Sequence, residues 1–138
     1  MRLWIAGGAV NGFLSVAMGA LAAHALCNRV GAEALGWIET GARYGAIHAL
    51  ALLALAALAA RGGGRLLALA GWAFLGGTVL FSGSLYIMGV SGGRALAPLV
   101  PIGGLLYLVG WGLLVIYAFR HGAAKLYPTD GGERRERP

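Results

Sequence analysis

Four long apolar runs, at about Leu3–Ala23, Tyr44–Ala60, Leu66–Val90 and Pro98–Phe119, fill most of this 138-residue chain. Each approaches the ~20 apolar residues that a helix needs to cross a bilayer core. Hydrophobic residues make up 59% of the sequence and charged residues 12%. A soluble domain carries about twice that charged share, so the polar remainder is too small to enclose a soluble core. Open strands are excluded because each unpaired backbone group in lipid is costly. Barrel strands would be ~10 residues long and strictly alternating; these runs are longer and do not alternate. The expected fold is all-α: an integral membrane four-helix bundle over 1–119, then a charged, disordered cytoplasmic tail over 120–138.

The basic residues set the expected orientation. With four spans, the amino end, the second loop and the tail share one side. That side carries eight basic residues, among them Arg2, Arg61, Arg65 and Arg120, against Arg29, Arg43 and Arg94 on the other. The positive-inside rule then puts both the N-terminus and the C-terminus on the cytoplasmic side. The net charge of +6 is explained by this topology. No continuous basic face with interleaved aromatics exists, so nucleic acid is not an expected partner. The expected surroundings are the lipid bilayer, with a membrane-protein partner or homo-oligomer as the further contact. Arg2 followed by an apolar stretch ending in Ala20-Leu21-Ala22-Ala23 has features of a signal peptide. The polar and glycine positions inside that stretch argue for a retained, packed helix.

The connections are informative. Arg61-Gly62-Gly63-Gly64-Arg65 is a tight basic turn that makes the second and third spans an antiparallel hairpin. The longest loop, about 26–43, has apolar residues at helical spacing and Glu39 four residues before Arg43, a spacing that allows pairing. It reads either as an interfacial helix over about 30–43, anchored by Trp37, or as an extension of the second span. Ala49–Ala60 contains only alanine and leucine. This featureless stretch is expected to fill space and face lipid.

Lipid tails are as apolar as leucine, so close backbone approach must hold such helices together. Gly8, Gly12, Ser15 and Gly19 recur at steps of four, three and four and form one smooth groove on the first span. The expectation is that another helix of the same chain enters it, with a homodimer contact as the rival. Gly76 and Gly83 in the third span, and Gly103 and Gly104 in the fourth, offer further close-packing points. Tyr107 and Trp111 are expected to fill space opposite glycine grooves. Trp4, Trp72, Tyr117 and Phe119 are placed for an aromatic belt.

Few groups could carry chemistry. Asn11 is the most polar residue deep in a span; it is read as an interhelical hydrogen-bonding group, with a ligand contact as the alternative. His24 and His48 lie where they could approach one another, as a bis-histidine haem site requires. With Cys27 they could form a three-ligand metal set. Each histidine could equally hydrogen-bond at the interface, and neither a cofactor nor a metal is expected. Ser82, Ser84 and Tyr86 lie on a helix expected to be broken at Gly83, but no acid or base accompanies them to activate a nucleophile. No catalytic residues are assigned, and an enzyme is not expected.

Four segments in this order resemble the YgdD/YwdK-like family of small bacterial inner-membrane proteins. They are Met18–Leu26, Trp37 through Tyr44 to His48-Ala49-Leu50, Phe81–Tyr86, and Val100-Pro101-Ile102-Gly103-Gly104 leading to Gly110-Trp111. The likeness covers about residues 3–119 and implies a four-span bundle without an established biochemical activity. The family often has a glutamine after the tyrosine of the second motif, where this chain has Gly45. If the family shares a site, the matching residues are His24, Tyr44, His48, Ser82, Ser84, Tyr86 and Trp111, expected to converge in the outer half of the bundle. Three functions remain in competition: a structural or accessory membrane component, a small oligomeric transporter or channel, and a redox or quinone-linked protein using His24 and His48. The transporter would need a continuous polar path through Asn11, Thr78 and Ser82.

Overall fold

The computed structural model describes residues 1–62 and 64–126, with residues 121–126 described as backbone only. Four helices follow one another: α1 Arg2–Leu26, α2 Ala32–Gly62, α3 Arg65–Ser91 and α4 Leu99–Leu126. All four are long and apolar enough to cross a membrane. No strand occurs among the described residues.

The second helix differs most from its apolar run. It starts at Ala32 and continues unbroken for 31 residues, so the segment about 30–43 is an extension of the span and not a separate interfacial helix. At ~1.5 Å per residue it is about 46 Å long, against a hydrocarbon core of about 30 Å. Its first turns therefore stand beyond the core, or the helix tilts. Glu33 in those turns pairs with Arg94 from the α3–α4 connection. The same guanidinium lies 5.5 Å from the centre of the Trp37 ring. The ion pair among the described residues is thus Glu33–Arg94 and not Glu39–Arg43. The last helix also runs further than its apolar run. The tail expected from residue 120 is helical as far as Leu126, and residues 127–138 lie outside the described residues.

Glycines shape the turns. Gly92 ends α3 with φ +71°, a left-handed conformation natural to glycine, and its N–H donates to Met88 O at 2.9 Å. Pro98 precedes α4 and Pro101 falls in its first turn, where a missing amide donor costs little. Two stretches wind as π-helix, Leu21–Leu26 at the end of α1 and Thr78–Gly83 in the middle of α3. The glycine at 83 therefore does not break α3.

The packing order places α2 and α3 at the centre, with α1 laid on α2 and α4 on α3. The Gly8/Gly12/Ser15/Gly19 face of α1 lies against α2. A Cβ at Gly8 would meet Ala49 O and Leu53, one at Gly12 would meet Ala49, and one at Gly19 would meet Ala42. The alanine–leucine stretch has two faces: Leu52 and Leu55 are fully buried, and Ala49, Ala51 and Ala56 nearly so, whereas Leu50, Leu53 and Leu58 are exposed on the side expected to meet lipid. Small alanines let the two flanking helices approach its backbone. Aromatic rings seat on glycines elsewhere, Tyr107 on Gly77 and Phe74 on Gly110, while Gly103 lets α4 approach the backbone of α3 at Leu80 and Phe81. Leu106 seats on Gly76, whereas Gly83 and Gly104 have their nearest neighbours at 3.8 Å and are not tight contacts. Trp4 is not a belt residue. It is buried on Gly71, edge-on to Trp72 with ring centres 5.5 Å apart.

Candidate functional site

The half of the bundle that holds the start of α1 and the far part of α4 is filled by an apolar cluster. Trp4, Leu52, Leu55, Leu67 and Phe74 form its centre, and Tyr107 closes it at mid-bundle. Beyond that level the inward-facing groups turn polar, and four helices contribute to one connected set.

Asn11 of α1 is buried and donates through Nδ2 to Gly45 O of α2 at 2.9 Å and to Thr78 Oγ1 of α3 at 3.2 Å. Thr78 donates to Phe74 O one turn back at 2.9 Å. Tyr107 of α4 donates to Thr78 Oγ1 at 3.3 Å. The Thr78 oxygen thus gives its one proton and receives two, which exhausts its capacity. The Tyr107 proton is committed to Thr78, so its 3.4 Å contact with Ser82 must be a bond donated by Ser82. The direction of the chain is fixed throughout: Ser82 to Tyr107, Tyr107 to Thr78, Thr78 to the Phe74 carbonyl. The Tyr107 and Ser82 bonds are long for O–H···O pairs. The short bonds made by Asn11 and Thr78 carry most of the set's strength. Beside it, Tyr86 donates to Ser15 Oγ at 3.5 Å, a second link between α3 and α1.

Gly45 is central to this arrangement. A Cβ there would run into Ser15 Oγ, Tyr86 Oη and Asn11 Oδ1. Where the resemblance leads one to expect a glutamine side chain, this chain has none, and the Gly45 carbonyl accepts from Asn11.

His48 forms a second group, about one turn further along α2 and facing α4. It is buried, with its ring stacked on Tyr107 at 3.4 Å between centres and tilted against Phe74 at 5.5 Å. Trp111 Nε1 donates to His48 Nε2 at 3.2 Å. An indole N–H can only donate, so Nε2 bears the lone pair and Nδ1 bears the proton. Nδ1 lies 2.8 Å from Tyr44 O, a carbonyl that can only accept. His48 is therefore the neutral Nδ1–H tautomer with both nitrogens engaged. Tyr44 is half exposed and packs on Phe81 with ring centres 5.0 Å apart.

Two cavities flank the polar set. One of about 390 Å³ lies between α1, the π-turn of α3 and the start of α4; Asn11, Thr78, Ser82, Ser84 and Tyr86 contribute its polar lining. The other, of about 430 Å³, is lined by Tyr44, His48, Phe81, Tyr107 and Trp111.

The residues singled out from sequence divide accordingly. Asn11, Ser82 and Tyr86 join the polar set or its Ser15 branch, Ser84 lines the first cavity, and Tyr44, His48 and Trp111 surround the second. His24 joins neither: it is exposed on the π-turn of α1, where its carbonyl accepts from Cys27 Sγ at 3.7 Å. His24, Cys27 and His48 do not assemble, and no group of three metal-binding side chains occurs among the described residues. A haem or metal ligand at His48 would need the lone pair that Trp111 already uses. Space filling is only half of the role of Tyr107: its ring fills the gap at Gly77, and its hydroxyl joins α4 to Thr78. Nothing in local spacing marks the pairing of an α2 carbonyl with Asn11, 34 residues away.

A family model described as a protein of unknown function (DUF423) matches residues 18–104. The inner membrane protein YgdD of Escherichia coli K12 is 45% identical over 115 residues, covering 81% of this chain and 86% of that protein. The membrane protein YwdK of Bacillus subtilis is 37% identical over 122 residues, 88% of this chain and 99% of its own length. A Haemophilus influenzae membrane protein is 42% identical over 113 residues, 81% of this chain and 90% of that one. No solved structure matches. A family match over more than half of the chain, with relatives alike over most of their length, makes this a four-span inner-membrane protein of the DUF423 (UPF0382) family.

Proposed function

We propose that this chain is a non-enzymatic structural or accessory component of the inner membrane, with both termini cytoplasmic. The observation that carries the reading is the directed hydrogen-bond chain joining α1, α2, α3 and α4 through Asn11, the Gly45 carbonyl, Thr78 and Tyr107. It commits most of the bundle's interior polar capacity to holding the helices in one arrangement. Such bonds add modest stability in membranes but strong geometric specificity. Ser82 and Thr78 are donors within that chain and have no adjacent base, so neither is an activated nucleophile. The polar set also stops at the apolar cluster of Leu52, Leu55, Leu67 and Phe74, which does not favour a conducting path. The faces left for a partner are the outer sides of α1 and α4, where Val10, Phe13, Val16, Leu105, Leu108 and Phe119 are exposed.

Purification in mild detergent from native membranes tests the reading. The expected result is one membrane protein recovered in fixed stoichiometry, lost when Phe13 and Val16 are replaced by bulky tryptophans. A lone protein that conducts ions or turns over a substrate in liposomes overturns it.

A further inference from the structure

The cavity between α1, α3 and α4 has unused hydrogen-bonding capacity of a defined kind. Asn11 is only 3% exposed, and both of its N–H bonds are committed to Gly45 O and Thr78 Oγ1. Its Oδ1 accepts nothing from a described residue. Ser84, also 3% exposed, has a hydroxyl without a partner among the described residues. Neither atom is sealed in, because no fully enclosed side-chain oxygen or nitrogen among the described residues lacks a partner. Both residues line the same cavity of about 390 Å³. Buried polar atoms in a lipid-facing protein need a partner, since neither lipid tails nor dry protein can supply one.

The chemistry of that partner follows from what lines the space. Among the described residues, no charged side chain and no histidine borders the cavity, so an ionised headgroup would be desolvated without compensation. Asn11 Oδ1 can only accept, so the ligand must bring a donor. Ser84 can then donate to the ligand's oxygen. A hydroxyl does both without carrying charge. The remaining walls are apolar, with Leu14, Val79, Leu80, Ile87 and Leu99 among them. Val79 and Ile87 are exposed at the outer edge, so an apolar chain can leave the cavity into the bilayer. The volume is within the ~300–1,000 Å³ typical of small-molecule sites.

We propose that this cavity binds a neutral long-chain alcohol dissolved in the membrane, its hydroxyl donating to Asn11 Oδ1 and accepting from Ser84. The inference stands apart from the accessory role: a scaffold and a ligand carrier would both have this site.

The test uses the full chain in phosphatidylcholine vesicles with a long-chain primary alcohol that carries a diazirine in mid-chain. Photolysis is expected to label the segment 78–87, and unlabelled hexadecanol to compete. The methyl ether of hexadecanol, which has no donor, should compete about fivefold or more weakly, the scale of one lost hydrogen bond. Palmitate should also compete poorly, because it is charged. Ser84→Ala should reduce labelling by a similar factor. Val79→Trp, at an exposed position on the rim, should block it without disturbing the core. Equal competition by alcohol and ether overturns the proposal, as does labelling spread over all exposed helix faces. Labelling unchanged in both variants, with helix content preserved, overturns it as well.

Discussion

Phe74 and Thr78 are one turn apart on α3, yet they belong to different kinds of interior. Phe74 is fully buried in the apolar half, with its ring on Gly110 and beside His48 and Trp111. Thr78 opens the polar half, where hydrogen bonds from three helices meet on one oxygen. The first region is held by contact between rings, leucines and small residues, the second by directed bonds beside cavities of several hundred cubic ångströms. Because apolar burial gives helices little preference for each other over lipid, the packed half depends on shape. The polar half depends on each donor finding its acceptor.

The largest effect should come from the packed half. Phe74→Ala is expected to destabilise the bundle by about 2–3 kcal/mol, the cavity part of the cost of removing a buried ring, read by tryptophan fluorescence during unfolding in mixed micelles. A loss below that of any polar-half variant would reverse the contrast between the two regions. Next is the α1–α2 seam, which crosses both. Gly8→Leu drives a side chain into Ala49 O and Leu53 and should cost about 1–3 kcal/mol. Gly12→Ala should be close to neutral, because its Cβ would rest at 3.7 Å from Ala49. Equal costs for the two would show that this seam is not the one that holds α1. The smallest effects belong to the polar set. Thr78→Val leaves Asn11 and Tyr107 each short of an acceptor and should cost about 1–2 kcal/mol. Ser82→Ala, at the end of the chain, should cost about 0.6 kcal/mol, the membrane average for one such bond. Combined with Tyr107→Phe in a double-mutant cycle, Thr78→Val should show coupling, whereas Ser91→Ala, outside the set, should show almost none.

The number and approximate limits of the spans were legible because hydropathy over ~20 residues depends on local sequence alone. The limits of α2 were less so. Glu33, Glu39 and Arg43 interrupt the apolar pattern but not the helix, since charged side chains can project from its exposed turns. The groove of α1 was legible because glycine and serine recur there at helical spacing. Its counterpart on α2 was not, because Ala42, Gly45, Ala49 and Leu53 look like any stretch of small and apolar residues. With 25 glycines in the chain, composition could not tell the tight contacts at Gly77 and Gly110 from the looser ones at Gly83 and Gly104.

Sequence alone determined that this protein is helical, crosses the membrane four times and carries no charged group deep in a span. Those are consequences of backbone hydrogen bonding in lipid, which every span must satisfy within itself. Tertiary structure decided which helices are central, which of His24 and His48 is buried, and where the polar groups meet. Asn11 finds Gly45 and Thr78, and His48 finds Trp111, across separations of 34 to 67 residues. Such pairings depend on the rotation of each helix about its own axis. That rotation is set by how rings and small residues fit together across helices, and no single segment contains it.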